Sequence, residues 1–115
     1  MNILEDNMTT YTWTISALDC KPAVGDLQDY VVTSHWRCNG ISNNYTGTVY
    51  STTSFEVNPD KPNFTPFNQI TEAMAIQWTK DSLGEEQVAA VYSSIDSQIE
   101  TQINPSVITP SLPWI

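Results

Sequence analysis

The sequence predicts an α+β domain: a three-stranded antiparallel β-meander, then two C-terminal helices packed on one face, then an extended Pro-rich C-terminal arm. Three observations predict it. Apolar and polar residues alternate through the first half, helical spacing replaces that alternation from about residue 70, and the strand-like segments are joined by connections too short for a crossover. A chain of 115 residues supports one modest core.

YTWTISAL (11–18) alternates strictly, with Tyr11, Trp13 and Ile15 on one side and Thr12, Thr14 and Ser16 on the other. DCKPAVGD (19–26) holds Pro22 and Gly25 and reads as a loop. DYVVTSHWRC (29–38) is the second strand. Tyr30, Val32, Ser34, Trp36 and Cys38 form one face of it, and Val31, Thr33, His35 and Arg37 the other. Asn39-Gly40 opens a turn that extends to Asn44, and YTGTVYSTTSFEV (45–57) is the third strand. Core packing is the reading for Trp13, Trp36 and Tyr50. NPDKPNFTPF (58–67) is a proline-broken connector whose Phe64 and Phe67 are expected to be pinned against the core.

Thr71 is an N-cap before EAMAIQWTKDSL, with Glu72 at the positive end of the helix dipole. Ile70, Met74 and Trp78 fall on one face, flanked by Ile76 and Leu83, and Gly84 suits a left-handed C-terminus. The second helix, 85–103, carries one stripe of Val88, Val91, Tyr92, Ile95, Ile99 and Ile103 and stops at Asn104-Pro105. Three parts follow: a flexible N-terminal extension at 1–9, a single α+β domain at 10–104, and the arm at 105–115. Met8, ahead of TTYTWTI, reads as an alternative translation start. A three-stranded sheet has two edges, nothing in the sequence obviously covers both, and pairing with another subunit is open to it.

The formal charge of −9, from 13 acidic and 4 basic residues, repels phosphate backbones and anionic lipid, so neither nucleic acid nor membrane is an expected partner. No stretch is apolar enough for a membrane span, and MNILEDNM is not a signal peptide. The glycosylation-type triplets at 7–9, 44–46 and 63–65 are read as chance. Cys20 and Cys38 are read as reduced, semi-buried thiols, since two cysteines and one distant histidine fall short of a zinc set.

Motifs for chemistry are sparse. His35 lies on the polar face of strand two with no local carboxylate to orient it, and reads as a surface residue. Asp19, Asp26 and Asp29 surround the first loop without EF-hand spacing and read as a solvated acidic loop. The sequence contains no phosphate-cradling, dinucleotide, zincin or nucleophile-elbow motif. No catalytic residue, metal or cofactor is expected.

The segment PSVITPSLPWI stands apart. Pro105, Pro110 and Pro113 hold it near extended or polyproline II geometry, which lowers the entropy cost of docking. Val107, Ile108, Leu112, Pro113, Trp114 and Ile115 are the candidate protein-binding residues. Docking along the chain's own helices or sheet edge and docking on a neighbour both stand at this level.

The stretches TWTISALDCKP (12–22), VVTSHWRCNG (31–40), FTPFNQITEAMAIQW (64–78), SLGEEQVAA (82–90) and IETQINPSVITPSLPW (99–114) resemble an uncharacterised family of small proteins from tailed bacteriophages, especially phages of marine bacteria and cyanobacteria. The resemblance brings no catalytic residues. It implies a non-enzymatic virion structural protein of the tail, neck or capsid surface, assembled in the bacterial host cytoplasm. Its expected partners are other phage structural proteins, or itself as a homo-oligomer. The alternatives are a non-virion tail or tail-fibre assembly chaperone and a small host-directed inhibitor.

Overall fold

A computed structural model describes residues 8–115, so the expected N-terminal extension lies outside the described residues up to residue 7. Three strands, β1 (Thr10–Val24), β2 (Leu27–Ser42) and β3 (Tyr45–Ser54), form one antiparallel sheet in the order β1-β2-β3. A 3-10 turn, Phe67–Gln69, precedes a single helical element, α1 (Glu72–Ile103). The α+β meander is as expected, but its boundaries and the helix count are not.

The first correction concerns the predicted loop at 19–26. β1 continues through it to Val24, and only Gly25 and Asp26 turn the chain, Gly25 at φ 58°. Pro22 is tolerated because β1 is an edge strand, where a missing N–H breaks no ladder. The predicted turn at Asn39-Gly40 is likewise strand. β2 runs on to Ser42 and the turn is Asn43-Asn44, with Asn43 at φ 55°.

Two register shifts bend the β1–β2 ladder. Ile15 pairs with Trp36 and Ala17 with His35, which leaves Ser16 as an extra residue; Asp19 pairs with Thr33 and Cys20 with Val31, which leaves Val32 extra. A bulge of this kind changes which alternate residues face inward. Before Ser16 the inward residues of β1 are Tyr11, Trp13 and Ile15, opposite Gly40, Cys38 and Trp36; beyond it Leu18 takes that side, opposite Ser34.

The core comprises Trp13, Trp36, Cys38, Val91, Ile95 and Ile99. Trp13 and Trp36 lie tilted against each other at 5.0 Å between ring centroids, and Tyr92 stacks on Tyr11 at 4.0 Å. Each buried indole N–H has a partner: Trp36 donates to Thr53 Oγ1 at 2.9 Å, and Trp13 donates to Tyr92 Oη at 3.1 Å. Tyr50 is a correction. It lies on the outward face opposite Arg37, whose guanidinium sits 5.0 Å from its ring, and it is exposed.

The helix seats on a glycine pair. Gly40 and Gly47 are cross-strand partners, and Ile95, fully buried, lies over them. A Cβ on Gly40 would overlap Ile95 Cγ2, and one on Gly47 would stand 2.9 Å from the Ile95 carbonyl oxygen. Glycine at residue 40 therefore serves close approach of a helix and not a turn.

Two helices were expected and one helical element is found, because no loop separates its halves. The expected boundary survives as a break at Gly84, φ 82° and ψ 166°. That is a region essentially reserved for glycine. Thr71 caps the N-terminus as expected, its Oγ1 accepting from the Met74 N–H at 3.2 Å. The buried residues of the first half are the small Ala75 and Thr79, while Met74, Ile76 and Trp78 are half-buried. Thr79 is drawn inward by Ser34, with the hydroxyls 2.8 Å apart, and also donates to the Ala75 carbonyl. The second half follows its predicted stripe: Val91, Ile95 and Ile99 are buried, Val88 and Tyr92 half-buried, and Ile103 exposed at the end.

Substituting Gly40→Ala is expected to cost about 1–3 kcal/mol by overpacking against Ile95, measured by urea denaturation. Gly84→Ala has open space for its methyl group. Helix propensity alone favours alanine there by roughly 1 kcal/mol. The φ/ψ of residue 84 reverses that sign, and a loss of about 1–3 kcal/mol is expected in the same assay.

Candidate functional site

The predicted protein-binding residues all lie beyond the helix stop at Asn104, in a segment with neither helix nor strand. Every residue from 101 to 115 is exposed. Val107 is 82% exposed, Ile108 68%, Leu112 49%, Trp114 77% and Ile115 93%, so the apolar groups of this segment are not spent on the domain's own core. A turn closes its end, with the Ile115 N–H donating to the Leu112 carbonyl at 3.3 Å. The segment carries no charged side chain, in contrast to the acidic domain behind it.

The sheet edges are the second place where association was expected, and α1 reaches both. On the β3 edge, the Gln98 side chain brackets one residue, accepting from the Thr48 N–H and donating to the Thr48 carbonyl, each at 2.9 Å. Gln102 Nε2 donates to the Thr46 carbonyl at 2.6 Å. On the β1 edge, the Ile15 N–H donates to Glu72 Oε2 at 3.0 Å, next to the Ser16 bulge. These bonds occupy backbone groups that an added strand would need. Gln98 and Gln102 read in the sequence only as the polar cover of the second helix.

His35 is not without a carboxylate. Asp19 Oδ2 lies 2.7 Å from His35 Nε2, brought there because β1 stays a strand through residue 19 and pairs Asp19 with Thr33, diagonal to His35. Ser16, at the β1 bulge, donates to the His35 backbone carbonyl and not to the ring. The pair orients an imidazole on the outward sheet face. Among the described residues no three of His, Cys, Asp and Glu are grouped to hold a metal ion.

Both cysteines are free; Cys20 is half-buried as expected, whereas Cys38 is fully buried in the core. Burial pushes the Cys38 thiol up to about 11, only partly opposed by Lys80. Burial, with Asp29 and Asp19 nearby, also raises that of Cys20. Neither has the electropositive, exposed setting of a reactive cysteine.

A cleft of about 210 Å³ opens at the opposite end of the domain from the arm. Tyr30 and Val31 are buried beneath it, and Phe64, held in a stack 5.6 Å from Tyr30, stands beside Ile70 and Trp78 as its wall. Tyr30 Oη fixes the floor by donating to the Glu56 carbonyl and accepting from the Asn58 N–H, both at 3.1 Å. Of the two phenylalanines expected to be pinned, Phe64 is, while Phe67 is exposed in the 3-10 turn.

These features define a two-layer α+β domain whose helix bonds to both sheet edges and from which an exposed apolar segment emerges. Residues 8–114 match the family described as Domain of unknown function (DUF7936), and the chain belongs to that family. No curated protein and no solved structure matches the chain. Among the described residues no helix is long and apolar enough to cross a membrane.

Tyr11 offers a pH-dependent readout of the seating of α1 on β1. It donates to Asp96 Oδ1 at 2.7 Å, and burial together with this carboxylate pushes its phenol up to about 12. Because the folded value is raised, the stabilisation is fully present below the ordinary tyrosine pKa of about 10 and is lost as pH rises through about 12. Spectrophotometric titration should show a late phenolate transition from Tyr11, and Asp96→Asn should bring its midpoint down.

Proposed function

We propose that the chain is a non-enzymatic bacteriophage virion structural protein of the tail, neck or capsid surface. It acts through protein–protein contacts made by its C-terminal arm, and takes its place in the particle during assembly in the host cytoplasm. The observation that carries this reading is the exposure of Val107, Ile108, Leu112, Trp114 and Ile115 on an uncharged, proline-stiffened segment. Apolar side chains of this kind, aromatic ones above all, anchor interfaces when they enter a pocket. Prolines at 105, 110 and 113 reduce the ordering cost of docking.

The rest of the domain supports the same reading. Its obvious polar groups are engaged in architecture: Gln98, Gln102 and Glu72 on the sheet edges, His35 with Asp19, and Thr79 with Ser34. The formal charge of −9 keeps the domain soluble and directs association to the neutral arm. The resemblance to small proteins of tailed phages supplies the particle as the setting.

Deleting residues 105–115 should abolish incorporation into particles while circular dichroism shows a folded domain; normal assembly by the truncated chain would sink the arm's role. Mass spectrometry of purified particles should find the chain at stoichiometric levels. Its absence there, with assembly still dependent on it, would replace the structural role by that of an assembly chaperone.

A further inference from the structure

The arm and the cleft are complementary, and the geometry points to their meeting between chains. We infer that the aromatic cleft formed by Tyr30, Phe64, Ile70 and Trp78 receives the Leu112–Trp114 portion of the arm from a second copy of this chain, giving a head-to-tail assembly. The inference rests on the reading of residues 105–115 as a docking arm and names its receiver.

Size and surface fit come first. At about 210 Å³ the cleft is below the roughly 300–1,000 Å³ of small-molecule sites, and suits a bulky side chain with a flanking proline. Its floor and wall are aromatic and aliphatic, the surroundings in which a tryptophan anchor is desolvated. Its rim carries Asp29, Glu56 and Asp81 against the single cation Lys61. A segment rich in acidic side chains is repelled there, whereas PSVITPSLPWI has no charged side chain in a chain of net charge −9.

Reach decides between the chain's own arm and a neighbour's. The cleft lies at the Val31 and Trp78 end of the domain, while Ile103 leaves the helix beside Ser42 at the other end. Along β2, Val31 to Ser42 spans about 36 Å at ~3.3 Å per residue. From Ile103 to Trp114 the arm covers about 34 Å at the ~3.1 Å rise of polyproline II, and it must first reverse direction after the helix. The arm's own cleft stands at the limit of reach once that reversal is made, and all of residues 101–115 are exposed on their own domain. A neighbour's cleft has no such constraint.

The contact is heterologous, since arm and cleft are different surfaces of one chain. Repeating it therefore yields a ring where the rotation closes and a filament where it does not.

The test is complementation in the full chain. Light scattering coupled to size exclusion should show a mass that rises with concentration above the 12.9 kDa of one chain. Trp114→Ala, which disables the arm, and Thr65→Trp, which fills the cleft, should each weaken self-association at least tenfold. Lys61→Trp on the exposed rim serves as a second cleft variant, and thermal melts verify that each variant is folded. Mixing Trp114→Ala with either cleft variant leaves one intact arm and one intact cleft, so a one-to-one dimer that grows no further is expected.

A wild-type chain that stays monomeric at high concentration overturns the inference, as does an oligomer indifferent to Trp114→Ala or a mixture that makes no dimer. Those outcomes leave the arm's docking on other particle proteins to be judged by the truncation and the particle composition. A truncated chain that assembles normally into particles fails that reading instead.

Discussion

The closeness with which α1 approaches the sheet depends on two missing Cβ atoms. Ile95 occupies the space over Gly40 and Gly47, and the helix backbone itself lies against Gly47. Everything on the second half of α1 is referenced to that contact. Val91 and Ile99 enter the core one turn to either side, Tyr92 reaches Tyr11 and Trp13, and Asp96 reaches the Tyr11 phenol. Burying an isoleucine completely contributes about 1.5–3 kcal/mol. Its positional consequence is larger, because a helix standing farther off would lose the side-chain bonds to the strand edges.

Those bonds explain how so small a sheet manages its edges. Gln98 presents an amide that copies the donor and acceptor of a neighbouring strand residue, and Thr48 is bonded to it as it would be to a β-partner. Glu72, at the first turn of the same helix, serves the opposite edge beside the Ser16 bulge. The break at Gly84 lies between these two ends, so each half of α1 has its own heading across the sheet. Several edge groups are thus taken up internally, and the exposed apolar segment and the aromatic cleft lie away from these bonds.

The legible parts of the fold were those with local physics. Alternation in 11–15, the Thr71 cap, the glycine break and the Val88–Ile99 stripe each appear where the sequence puts them. The misreadings share one cause: a residue's local preference was overridden by a distant neighbour. Pro22 and Gly40 signal turns in isolation, yet one lies on an edge strand that tolerates it and the other serves Ile95, 55 positions away. Tyr50 has core chemistry but pairs opposite Arg37 on the outward face, a matter of register. His35 gained its carboxylate the same way, through a β1 extension that Pro22 concealed.

By itself, then, the sequence determined the meander, the helical second half, the acidic composition, and a proline-rich final segment with apolar and no charged side chains. These follow from composition and spacing over a few residues. Only the tertiary structure decided that α1 is one element with a break, that its glutamines and glutamate bond to both sheet edges, and that the apolar residues beyond Asn104 stay exposed. It also decided that an aromatic cleft forms at the far end. Such features arise from contacts between residues tens of positions apart, where side-chain reach and backbone approach, and not local propensity, set the outcome.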